Sequence, residues 1–97
     1  MTICKDDGAR VSVIIPAYNY ADFIEDAMGS VLSQMIDGDE LLIIDDGSTD
    51  NTEEVVSAFT SRVGNKNVKY YKKVNGGAAS ARNYGIRRAS CEYIVLL

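Results

Sequence analysis

The sequence predicts an α/β chain, built as an open, mostly parallel Rossmann-like sheet with helices on both faces. Three observations predict it. Short β-branched apolar runs alternate with segments of helical periodicity along the 97 residues, the pattern of strands joined by right-handed crossover helices. The first run, residues 11–15, is apolar at nearly every position, as in a strand covered on both faces. The third run carries Lys69, Lys72 and Lys73, the usual guard of an exposed sheet edge.

The elements follow in order. Val11, Val13, Ile14 and Ile15 make the first strand, closed by Pro16, the single proline. Over residues 21–35, Ile24, Ala27, Met28, Val31, Leu32 and Met35 recur at helical spacing, with Asp22, Glu25, Asp26 and Gln34 mostly on other faces. Residues 41–44 are the second strand. Asp50 then stands three residues before Glu53, a capping-box-like pair ahead of Val55, Val56, Phe59 and Val63, and Gly64-Asn65 stops that helix. Residues 68–74 form the third strand. Gly76-Gly77 opens a third helix whose stripe of Ala78, Ala81, Gly85 and Ala89 permits close approach to a sheet. Residues 93–97 are the fourth strand.

One domain accounts for residues 11–97, behind a polar leader at 1–10. Ten basic against fourteen acidic side chains give a net charge of −4, which argues against nucleic acid or an anionic membrane as the main partner. No apolar run reaches the roughly 18 to 20 residues of a membrane span, and the leader lacks the apolar core of a signal peptide. Cys4 and Cys91 lie far apart in a chain without histidine, so they read as free thiols rather than as a disulfide framework or zinc site. The chain is expected to be soluble and cytoplasmic.

Ligands of such sheets bind beyond the carboxyl ends of the strands, where strand order reverses. Two strand ends there carry chemistry: Pro16-Ala17-Tyr18-Asn19 and Asp45-Asp46-Gly47-Ser48. Together they offer an aromatic face and an acceptor to a planar, hydrogen-bonding group. Neither a Gly-x-Gly-x-x-Gly turn nor a Walker lysine loop follows the first strand, which argues against a standard dinucleotide or NTPase site. A phosphoacceptor receiver would need its acidic pair after the first strand, not the second.

Three blocks in this order and spacing, Val11-Ser12-Val13-Ile14-Ile15-Pro16-Ala17-Tyr18-Asn19, Ile44-Asp45-Asp46-Gly47-Ser48-Thr49-Asp50 and Asn75-Gly76-Gly77-Ala78-Ala79-Ser80-Ala81-Arg82-Asn83, resemble the amino-terminal half of family 2 glycosyltransferases of the GT-A fold. The resemblance covers residues 11–97. It implies sheet order 3-2-1-4 and inverting transfer of a sugar from a nucleotide donor, commonly UDP-linked, to an acceptor hydroxyl.

It also implies roles. Pro16 and Ala17 lie beside the base and Tyr18 stacks on it, a contact worth about 1 to 3 kcal/mol; were its block to stand alone, Tyr18 would read as a partly buried strand-end tyrosine. Asp46 matches the carboxylate that accepts the uracil N3 hydrogen, a charge-assisted bond worth about 1.5 to 3 kcal/mol, with Asp45 beside it. Turn and capping chemistry is the alternative for that pair and the preferred reading for Asp50. Arg82 matches a basic residue reaching base or diphosphate, or is a solvated helical arginine. Gly77, after Gly76, lets a helix amino-terminus approach phosphate or simply makes a turn. Asn19 and Asn83 are expected to fix loops.

The resemblance places the divalent-ion motif of the full-length enzyme (Mn or Mg) and the catalytic base beyond Leu97. No catalytic or metal-holding residue is therefore expected in this chain, which would bind a nucleotide-sugar donor without transferring it. A non-catalytic nucleotide-binding or assembly module is the alternative. Cys91, where the family often has glycine, is a local departure. The apolar fourth strand is expected to drive homo-oligomer formation.

Overall fold

A computed structural model describes residues 10–64 and 67–97. The leader other than Arg10, with Cys4, and Asn65 after the second helix lie outside the described residues. In chain order the elements are β1 (Val11–Ala17), α1 (Ile24–Leu32), β2 (Glu40–Asp45), α2 (Thr52–Val63), β3 (Val68–Lys72), α3 (Ala78–Arg88) and β4 (Tyr93–Leu96). All strand pairs are parallel and the order is β3-β2-β1-β4, as expected.

Strand alternation divides the core into two layers. Val13 and Ile15 of β1 and Leu41 and Ile43 of β2 face α1 and α2, packing with Ile24, Met28, Val31 and Val56. Ile14, Leu42 and Ile44 face the other way, onto Ala81 of α3 and the half-buried Tyr71 and Tyr84. Within the expected small-residue stripe only Ala81 and Gly85 are buried; Ala78 is exposed and Ala89 half-buried. Gly85 is the point of closest approach, since a Cβ there would lie 2.7 Å from Ile14 Cγ2 and 3.2 Å from Ile44 Cγ1.

Several boundaries differ from expectation. Strand β1 continues through Pro16 to Ala17. Leu97 N–H donates to Ile14 O, while Ala17 O accepts from Asp46 on the opposite side. Pro16 N therefore faces the β4 side, past the pair Ile14↔Leu96, and the β1–β2 ladder needs no N–H from it. Helix α1 is shorter than residues 21–35, because Gln34 and Met35 donate to Val31 O and Leu32 O in three-residue steps that close the last turn. The Asp50/Glu53 capping box does not form. Asp50 Oδ1 instead accepts the Thr52 N–H at 3.0 Å, a local turn contact, and Glu53 lies 3.6 Å from Lys72. Strand β3 is an edge, but only Lys72 of its lysines is a solvent-facing guard; Lys69 and Lys73 turn back onto buried acids.

The two strands at the centre and the strand at the other edge contrast sharply. Val13, Ile14, Leu41, Leu42, Ile43 and Ile44 are fully buried, whereas Tyr93, Ile94, Leu96 and Leu97 keep 40 to 53% of their surface exposed.

Candidate functional site

The register Ala17↔Asp45 aligns the carboxyl ends of β1 and β2. Ala17 O accepts the Asp46 N–H at 2.8 Å, so Asp46 stands beside the chain leaving β1 at Tyr18. Asn19 then ties the two loops together. Its Oδ1 accepts the N–H groups of Thr49 at 2.7 Å and Asp50 at 3.2 Å, and its own N–H donates to Ser48 Oγ at 2.9 Å. Asn19 adopts φ 48°, a left-handed conformation that asparagine tolerates better than most residues. This bracing leaves Tyr18 53% exposed and Pro16 half-buried beside the buried Ala17.

The two aspartates divide their work. Asp45 is fully buried, and its Oδ1 accepts the Ser48 N–H at 2.8 Å while Oδ2 accepts the Tyr70 hydroxyl. Burial, then the bond to Asp45, pushes the Tyr70 phenol far up, so it remains a protonated donor. Asp45 thus joins the turn to β3 behind the crevice, with both oxygens engaged inside the fold.

Asp46 is 4% exposed. Its Oδ1 accepts from Lys73 Nζ at 2.8 Å and the Gly76 N–H at 3.0 Å, and its Oδ2 from the Gly77 N–H at 2.8 Å and Asn75 Nδ2 at 3.3 Å. Burial would raise its pKa, but Lys73 and the two glycine amides together outweigh burial and lower it. The carboxylate is ionised. Gly77 caps α3 at φ 97°, in the region that favours glycine. Its amide and that of Gly76, expected near a phosphate, are directed at Asp46. Arg82 is half-buried and lies one turn further along α3.

The structure therefore gathers Pro16, Ala17, Tyr18, Asp46 and Gly77 at one sheet edge, with Asp45 behind them. Sequence reasoning missed Lys73, which it counted as an edge guard; the signal was an acid at a strand end that had to find a counter-charge. Among the described residues no group of three or more His, Cys, Asp or Glu side chains could hold a metal ion. Asp45 and Asp46 do not fit a divalent cation, because an ammonium, a phenol and backbone donors already occupy them. No described helix is long and apolar enough to cross a membrane. A groove of about 300 Å³ between α2 and β3, lined by Val56, Ser57, Thr60, Val68 and Tyr70, contains neither Tyr18 nor Asp46.

The sequence model of Glycosyl transferase family 2 matches residues 12–97. The chain belongs to that family. Among its relatives, a glycosyltransferase of Rickettsia felis is 46% identical over 88 residues, covering 91% of this chain and 14% of that protein. The putative teichuronic acid biosynthesis glycosyltransferase TuaG of Bacillus subtilis is 40% identical, over 90% of this chain and 34% of its own length. The chain thus spans about a third or less of such relatives. In structure it is similar to the mannosyltransferase PcManGT of Pyrobaculum calidifontis, solved with GDP-Man and Mn2+, at TM-score 0.82 and 28% identity over 89% of this chain and 26% of that one. Glucosyl-3-phosphoglycerate synthase of Mycobacterium tuberculosis, solved with Mn2+, UDP and glucosyl-3-phosphoglycerate, matches at TM-score 0.74 and 28% identity over 93% of this chain and 33% of that one. These neighbours, with the sheet order, identify the fold of this family 2 chain as GT-A.

Proposed function

We propose that this family 2 chain is the donor-binding portion of an inverting glycosyltransferase, one that transfers a sugar from a UDP-sugar or similar nucleotide sugar to an acceptor hydroxyl. The observation that carries the reading is the ionised Asp46 carboxylate, fixed where its backbone joins Ala17, next in the chain to the exposed Tyr18. An aromatic face supplies stacking and an ionised acceptor supplies the polar contact that a base N–H requires. The structural neighbours solved with GDP-Man or UDP support it, since guanine and uracil both offer an N–H beside a carbonyl. Pro16, Ala17, Gly77 and Arg82 complete the proposed pocket, with Asp45 as its support.

With its acidic pair engaged, the chain alone is proposed to hold no catalytic base and no metal. A Mn or Mg ion, present in those neighbours, would supply charge neutralisation of the diphosphate in a longer enzyme. The same engagement favours the second reading, a non-catalytic nucleotide-binding or assembly module. We place either form in the cytoplasm, and propose that this 97-residue chain by itself is a homo-oligomer that associates through the exposed β4 strand; light scattering showing a monomer at tens of micromolar would remove the oligomer.

Calorimetry with UDP tests the site. Binding is expected to be weak, nearly independent of manganese, and about ten- to a hundred-fold weaker in Asp46→Ala. Equal affinities of wild type and variant would defeat the reading. Metal-dependent release of UDP from a UDP-sugar, abolished in Asp46→Ala, would overturn the assignment of an inactive chain.

A further inference from the structure

We propose that Lys73 is a specificity-determining residue of the donor site, which donates to the carbonyl next to the base N–H that Asp46 accepts. The proposal rests on the nucleotide-binding reading of Asp46. Lys73 Nζ lies 2.8 Å from Asp46 Oδ1 and its side chain is only 13% exposed, so the ammonium is held at the crevice rather than spread into solvent. An ammonium has three N–H donors. Among the described contacts one goes to Asp46 and one to Val74 O at 2.6 Å, which leaves the third for a ligand. Gly76 keeps the space open, because a Cβ there would come within 3.1 Å of Nζ.

Carboxylate and ammonium therefore stand side by side as an acceptor and a donor. The uracil edge, an N–H next to a C=O, is their complement. Cytosine presents a ring lone pair next to an amine, so each protein group would meet its like. An incoming N–H must first gain a place on Asp46, whose roughly four lone-pair positions are filled by Lys73, Gly76, Gly77 and Asn75. The Asn75 contact is the one to yield: at 3.3 Å it is the longest, and the same amide keeps Asp46 O at 2.9 Å.

Calorimetry of UDP and CDP on wild type, Lys73→Met and Lys73→Gln tests this, with circular dichroism to establish folding. Wild type is expected to prefer UDP. Lys73→Met should cut the UDP-to-CDP affinity ratio about ten-fold, mainly through UDP, and Lys73→Gln, which keeps an uncharged donor, should restore part of it. If Lys73→Met does not fold, a reduced ratio in Lys73→Gln supports the role. An unchanged ratio in the folded variants, with UDP binding still sensitive to Asp46→Ala, overturns the role of Lys73 alone. Insensitivity to Asp46→Ala removes the underlying site and this role with it.

Discussion

Strand β2 has a buried acid at either end: Glu40 opens it and Asp46 follows its last residue, each 2.8 Å from a lysine of the β3 segment. Glu40 is gripped by packed elements. Its Oε2 accepts from Ser12 Oγ at 2.6 Å, the Ser90 N–H at 2.7 Å and Ser90 Oγ at 3.0 Å, so one carboxylate joins β1, β3 and the α3–β4 connection. Ser12 Oγ in turn accepts the Cys91 N–H at 3.1 Å. The donors around Asp46 come instead from Lys73 and the loop before α3, beside an exposed tyrosine. Similar charge pairing thus gives a staple where two strands and a connection meet on one carboxylate, and a candidate site where the donors come from a loop beside an exposed tyrosine.

The largest effect expected from this contrast is Glu40→Ala. Removing the carboxylate takes the acceptor from the buried Ser12 hydroxyl and breaks the ties to Ser90 and Lys69, and should cost about 3 kcal/mol in urea unfolding, with UDP affinity of the folded protein unchanged. A loss of affinity without a loss of stability would reverse the roles of the two ends.

Acid should expose the same staple. Burial raises the Glu40 pKa, but its bonds to Lys69, Ser12 and Ser90 together overcome burial and bring it from 4.5 to about 2. A carboxyl depressed on folding contributes stability above its unfolded pKa, and that contribution is lost as pH falls through the folded one. Stability should therefore decline between pH 4.5 and about 2 by about 3 kcal/mol at most from this group. Unfolding curves of Glu40→Gln should show a shallower decline over that window; identical slopes would remove Glu40 as the titrating group.

Gly85→Ala separates both ends from the middle of the sheet. The added methyl meets Ile14 at 2.7 Å, and overpacking should cost about 1 to 3 kcal/mol at every pH. A cost confined to acid would contradict it. The smallest effect belongs to the exposed pair Arg62–Glu25, 2.8 Å apart with side chains 59% and 47% exposed. Arg62→Ala should change stability by less than about 1 kcal/mol; a larger loss in thermal unfolding would show that exposed charges here rival the buried ones.

Much of the fold was legible because its signals are local. The apolar run at 41–44, the helical spacing of Ile24, Met28 and Val31, and the glycine pair before α3 each announce an element within a few residues. Strand order agreed with two independent signs, the three-block resemblance and the lysines of the third strand. Element ends were less legible: Pro16 reads as a terminator unless one knows that its N faces away from β2, with which β1 stays paired to Ala17.

By itself, then, the sequence determined the alternation of strands and helices, the parallel sheet with β3 at an edge, and the placing of Tyr18 and Asp46 at neighbouring strand ends. Only the tertiary structure decided what those acids touch. Glu40 meets Lys69 and Ser90 across 29 and 50 residues, and Asp46 meets Lys73 across 27. No periodicity spans such distances. The partner of a buried charge is chosen by strand register and loop path, and it must be found because an unpaired ion costs several kcal/mol in the interior; the sequence states the need for a counter-charge, and the fold selects which lysine meets it.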